Sequence, residues 1–216
     1  MTEIVGVPEG TSPRGAPNVL LGMAVLSAAT LMLQVSLTRI FSVAQFYHFA
    51  FLVPGDRFDA AFAWARGRYE ILPREDGELV FDFSFWDALA CYFCDPAGNI
   101  VELIGHRGLG ENGRPGAFST GELLGLSEVG LVGDVPAMAR DLGQLGLRTW
   151  SGTADEPGSL AFAGEKARTL ILCPVGRGWL PIDLPAEPHP VEAVVSGAVP
   201  GEVIAGPHRI TAVPED

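Results

Sequence analysis

Apolar and polar positions along the chain fall into short periodic segments separated by glycine- and proline-rich turns. From residue 48, Phe49, Phe51 and Val53 alternate with His48, Ala50 and Leu52, which predicts a strand over 48–53. Phe58, Phe62 and Ala65 recur at helical spacing, with Asp56 near the start, and predict a helix over 56–69. Residues 73–78 read as a turn. Alternation returns over 79–84, 88–93 and 99–105. After a glycine-rich linker at 108–116, the pattern repeats. Residues 128–132 echo 48–52, and Val135, Met138, Ala139, Leu142 and Leu145 form one helical stripe. Strands are predicted over 146–150, 159–163 and 168–173. The order strand, helix, strand, strand, strand therefore occurs twice. A tail with strand candidates at 191–196, 202–205 and 209–213 follows. Pro200-Gly201 would turn the first of these onto the second, and the tail is expected as an edge addition to the second repeat.

Residues 1–18 are a flexible leader by composition, with Gly6, Pro8, Gly10, Pro13, Gly15 and Pro17. An apolar helix is expected over 19–45. Its stretch 19–37 has the length of a bilayer crossing, about 20 residues, although Ser27, Thr30, Gln34 and Ser36 weaken that reading. The alternative is a helix buried against the domain or an oligomer partner. Glu3 and Glu9 argue against a cleaved signal peptide, which begins with a basic region.

Composition narrows the function classes. The net charge of −12 over 216 residues argues against a nucleic-acid partner, which needs a basic surface. Cys91, Cys94 and Cys173 are too few, and odd in number, for a disulfide framework; reduced thiols and a cytoplasmic location follow, with membrane association through 19–37 left open. Cys91 and Cys94 form a C-x-x-C within a predicted strand, where residues three apart point to opposite faces, so a shared zinc is not expected. Neither a phosphate-binding Gly-rich loop ending in Lys-Ser/Thr nor a Gly-x-Ser-x-Gly nucleophile turn is present.

The chemistry concentrates at Asp95-Pro-Ala-Gly-Asn-Ile-Val-Glu-Leu-Ile104. Proline and glycine set a turn, and Asp95 and Asn99 can bond its backbone. The strand that follows puts Glu102 on the same face as Ile100 and Ile104, where a carboxylate is costly unless paired or bound to a metal. This Asp-Pro-x-Gly-Asn-x-x-Glu signature resembles the strand-closing motif of the vicinal oxygen chelate superfamily, which includes glyoxalases, bleomycin-resistance proteins and extradiol dioxygenases.

The resemblance implies an α+β fold over about residues 46–215. Two βαβββ modules, 46–107 and 126–215 joined by a linker at 108–125, would form a curved mixed sheet around a cleft. It also implies ligand positions on the first and last strands of each module. These fall on His48, Glu102 and Glu128, with the fourth near the apolar Leu172. Three such donors could hold Fe, Mn, Ni or Zn, with Glu128 as the catalytic base of a glyoxalase-type lyase or isomerase. The alternative is a non-catalytic, resistance-type protein that sequesters a small molecule between apolar walls. Trp86, Trp150, Trp179 and the run Phe81–Phe85 could line the cleft or pack the core, and Arg177 with Trp179 could close over a ligand. Family modules also pair across homodimers. Residues 19–53 separately resemble the N-terminal membrane helix of spermidine-synthase-like membrane proteins, which raises a membrane-anchored accessory role and a gene fusion near residues 40–60.

Overall fold

A computed structural model describes residues 48–156, 158–196 and 199–214. The leader over 1–18, the apolar helix over 19–45 and most of the membrane-helix resemblance lie outside the described residues. The part of that resemblance inside them, His48–Val53, is a strand at the centre of a sheet. Among the described residues no helix is long and apolar enough to cross a membrane.

The first module runs through β1 (His48–Val53), a 3₁₀ turn (Gly55–Arg57), α1 (Phe58–Arg66), β2 (Ile71–Leu72), β3 (Phe81–Phe83), β4 (Ala88–Cys94) and β5 (Ile100–His106). Strands β2 and β3 both pair with β4, and together they act as one interrupted strand. The second module runs through β6 (Gly125–Gly133), α2 (Val135–Gly143), β7 (Thr149–Gly152), β8 (Ala161–Glu165) and β9 (Arg168–Pro174). In each module the first strand lies parallel to the last, β1 on β5 and β6 on β9. β1 also pairs antiparallel with β6, so the two modules share one mixed sheet in the order β2-β4-β5-β1-β6-β9-β8-β7. The described chain is therefore mostly β with few helices, in the expected α+β class.

Side-chain alternation divides the apolar residues by face. One face carries Ala50, Ala90, Ile100, Ile104, Val132, Ile171 and Cys173, drawn from both modules into a single core. The opposite face carries two cores. Val53, Cys91, Val101 and Leu103 pack under α1 through Phe58, Ala61 and Ala65. Leu131, Leu170 and Leu172 pack under α2 through Val135, Met138, Leu142 and Leu145. A sheet covered on both faces explains why its strands read as nearly continuous apolar runs. Each fully buried Leu or Ile contributes about 1.5–3 kcal/mol. Cys91 and Cys94 lie on opposite faces, with Cys91 under α1 and Cys94 opposite Ile100.

Helix α2 starts where its sequence dictates. The Asp134 carboxylate accepts a 2.8 Å hydrogen bond from the Ala137 amide, and Pro136 occupies the first turn. Helix α1 is shorter than 56–69 because Asp56 serves a different end: its carboxylate accepts from the Asn112 and Gly113 amides of the inter-module linker. The buried Arg57 guanidinium donates to Glu122 Oε2 at 2.9 Å and to the Gly116 carbonyl at 3.0 Å. Glu122 also accepts from the Ser119 amide in a capping box. The linker is thereby tied to the start of the first helix.

The tail departs from expectation. β12 (Glu192–Ser196) does not turn onto β13 (Gly201–Ala205). Both pair with β14 (His208–Val213), β12 in parallel and β13 antiparallel. This three-stranded sheet is separate from the large one and is not an edge addition to it. Ala205, Ile210 and Ala212 instead cover α2 and the outer face of the second module, since burying that apolar face outweighs extending an edge. Between β9 and β12, a two-residue hairpin of β10 (Gly178–Trp179) and β11 (Leu184–Pro185) folds back on the shared inner face.

Candidate functional site

Strand register aligns a row of polar side chains across the inner face. Ala50 on β1 is flanked by Glu102 on β5 and by Glu128 on β6. Beyond Glu102 lies Tyr92, and beyond Glu128 lies Thr169. Residues in register point to the same face, so the row Tyr92, Glu102, Ala50, Glu128, Thr169 crosses five strands. The two carboxylates stand about 10 Å apart at their Cα atoms, two strand spacings, with only an alanine methyl between them. His48, two residues before Ala50, completes the group.

These groups are buried. His48, Glu102 and Glu128 are 5%, 2% and 3% exposed. His48 Nε2 lies 3.2 Å from Glu102 Oε2. Tyr92 stands in register beside Glu102; burial, and then the negative charge of Glu102 and Glu128, pushes the phenol pKa well above its usual value. Burial, reinforced by Glu102, likewise raises the Glu128 carboxyl well above the ordinary carboxylate range. Among the described residues Glu128 Oε1 and His48 Nδ1 have no hydrogen-bond partner.

Tryptophans enclose the row. Trp86 and Trp150 meet at 5.3 Å between ring centroids, bringing the 84–86 turn of the first module against β7 of the second. Their indole N–H groups donate to Ser151 Oγ and Thr169 Oγ1. From the 178–185 hairpin, Trp179 stacks on the His48 ring at 5.1 Å and 12°. Its ring lies over Gly130, where a Cβ would come within 2.8–2.9 Å of it. Trp179 is 3% exposed, so it is packed against the inner face and His48 and does not stand open above them. A hollow of about 790 Å³, whose lining includes Glu128 and Thr169 of the row as well as Leu147, Leu170, Ala193 and Val195, lies between the second module and the C-terminal sheet. A second, of about 400 Å³, adjoins the hairpin at Leu180 and Pro181, opposite Phe81 and Phe83.

The structure brings together His48 and Glu102 and places Glu128 on the same face. The fourth position follows from the parallel registers. His48 opposes Ile100 as Glu128 opposes Thr169, so Glu102 corresponds to Ile171 and not to Leu172. Leu172 points to the opposite core, and Ile171 offers no donor. Among the described residues, no three His, Cys, Asp or Glu side chains gather as a ligand set. His48 and Glu102 are turned on each other, Glu128 lies beyond Ala50, and an indole covers the imidazole. As placed, the three side chains do not converge on one point. Tyr92 and Thr169 escaped the sequence reading because both sit in runs that read as plain strand. Their signal was register: each is the ladder neighbour of a candidate glutamate.

No protein-family model matches the chain, and no curated protein sequence matches it. Solved structures similar to part of it include a methylmalonyl-CoA epimerase from Streptomyces coelicolor in complex with 2-nitronate-propionyl-CoA. That match is at 14% identity and a TM-score of 0.36, covering 61% of this chain and 96% of the epimerase. Glyoxalase I from Zea mays is similar at 21% identity and a TM-score of 0.34, over 60% of this chain and 42% of the maize protein. A candidate dioxygenase from Bacillus subtilis is similar at 16% identity and a TM-score of 0.37, over 58% of this chain and 39% of that one. The chain thus spans about two fifths of the maize and Bacillus subtilis proteins. Overlaps this partial establish neither family nor activity.

Proposed function

We propose that this chain is a small-molecule-binding protein of the vicinal oxygen chelate type, similar to glyoxalases and bleomycin-resistance proteins, and that its ligand binds on the shared inner face without a resident metal. The observation that carries this reading is the buried polar row. Stability alone does not favour two carboxylates, an imidazole and a phenol in an apolar sheet, because each buried ion costs several kcal/mol. A buried unpartnered oxygen such as Glu128 Oε1 calls for an explanation, and a bound ligand supplies one. In this reading Glu128 is the polar anchor. The Tyr92–Glu102–His48 chain fixes one wall, and Trp86, Trp150 and Ile171 supply apolar contact.

The metal-dependent lyase or isomerase remains a distinct alternative, because it would require His48, Glu102 and Glu128 to converge on one ion. Two measurements separate these. Elemental analysis after incubation with Fe²⁺, Mn²⁺, Ni²⁺ and Zn²⁺ should find metal well below one ion per chain. Stoichiometric metal lost in Glu102→Ala would instead favour the enzyme. Second, a ligand-observed NMR fragment screen should return binders to the parent that are lost in Glu128→Leu. If no fragment depends on Glu128, the binding assignment is wrong.

A further inference from the structure

We infer that Trp179 stands, in the free protein, where a flat aromatic ligand binds, and that the 178–185 hairpin withdraws to admit it. This rests on the inner face being the ligand site. The three tryptophans around the row are not equivalent. Trp86 and Trp150 have their indole N–H groups bonded to Ser151 and Thr169. The Trp179 N–H is more deeply buried than these and has no partner among the described residues. An indole that belongs permanently to a core normally has that donor satisfied.

The space it fills has the shape of a slot. One wall is the His48 ring, nearly parallel to the indole. The other side is Gly130, whose missing side chain is what lets a ring lie flat there. The corresponding position of the first module holds Ala50. Two further unpartnered atoms, Glu128 Oε1 and His48 Nδ1, belong to residues of the same inner face. A planar ring carrying a hydrogen-bond donor could engage the Glu128 oxygen, which the indole leaves unmet. With the Glu102 carboxylate on this face, the ring would be neutral or cationic, since an anionic ring meets repulsion from it.

The hairpin is slight. Its strands are two residues each, extended at the base by bonds between Gly176 or Arg177 and Ala186, and its tip exposes Leu180 (53%) and Ile182 (44%). Beside it lies the hollow of about 400 Å³ lined by Leu180, Pro181, Phe81 and Phe83, within the size range of ligand pockets. A segment with so few ladder bonds opens locally at far lower cost than the sheet beneath it.

The test uses indole, tryptamine and indole-3-acetate as probes. Trp179→Ala should bind indole at least about tenfold more tightly than the parent, whose own side chain competes for the slot. It should also prefer tryptamine over indole-3-acetate by at least about tenfold. No indole binding by a folded Trp179→Ala, or a preference for the acetate, overturns the ligand class. In the unmodified chain, hydrogen exchange at the Trp179 indole N–H, assigned by its loss in Trp179→Phe, should be at least about 100-fold faster than at the Ile104 amide. Exchange at the same rate as Ile104 overturns the withdrawing hairpin. That measurement stands even if Trp179→Ala does not fold. Either failure leaves the Glu128-dependent fragment screen to decide the binding function separately.

Discussion

The two modules share an order of elements and a parallel closure of first strand on last, but their inner faces differ. The first presents His48, Tyr92 and Glu102. At the equivalent places the second presents Glu128 at the start of its first strand and Ile171 on its last. Ala50 in the first module becomes Gly130 in the second, and the difference is filled by an indole from the following hairpin. Fold and chemistry therefore separate: the frame needs apolar alternation and turns, whereas the polar row needs only particular positions within it. The first module carries a polar side chain at both places, and the second carries Glu128 at one and the apolar Ile171 at the other.

The severest test of that comparison makes the second module resemble the first. Ile171→Glu adds a third carboxylate to the inner face with no cation beside it, and should cost about 3–5 kcal/mol in urea denaturation. A cost below about 1 kcal/mol would mean that this face is already open to water. Gly130→Ala supplies the methyl that Ala50 carries and forces it against the Trp179 ring. It should cost about 1–3 kcal/mol and shift the Trp179 emission to the red; unchanged emission with unchanged stability would show that the seat is loose.

Glu128→Leu removes a buried carboxyl with an unpartnered oxygen and should raise stability by about 1–3 kcal/mol, seen as a higher thermal midpoint. A fall would mean that Glu128 is a structural partner. The smallest effect is one of pH. Burial lowers the pKa of His106, whose Nδ1 faces the Trp86 carbonyl, and of His208, whose Nε2 faces the Val132 carbonyl. The unfolded chain therefore binds protons more readily than the folded one. The stability these groups contribute is present above about pH 6.5 and lost as pH falls through that value toward their lower folded values. The urea midpoint should decline over that window, and His106→Gln with His208→Gln should flatten the decline. A flat profile in the parent would remove the effect.

Much of the frame was legible because local chemistry agrees with it. At the 95–99 turn, the Asp95 carboxylate accepts from the Ala97 and Asn99 amides and from the Asn99 side chain, and Gly98 takes φ +87°. The same turn sets the register that carries Glu102 to the inner face. Helix α2 was legible from its stripe and from Asp134. What escaped was decided by distant partners. β2 and β10 are two residues long, too short for any periodicity, and exist only through their pairing. Nothing local distinguishes a tail strand that joins an edge from one that covers a helix. At the site, His48, Glu102 and Glu128 stood out as polar residues in apolar runs. Their separation around Ala50, and the ring that lies against His48, depend on pairings between residues more than 50 positions apart.

The Arg57–Glu122 pair and the Asp56 contacts to residues 112 and 113 bear on which module meets which. Two similar halves on a slack tether could exchange with those of another chain, each β1 pairing with a foreign β6. Fastening the tether at both its beginning and its end shortens its reach and raises the effective concentration of the native partner. Such a latch favours pairing of the two halves within one chain over domain swapping.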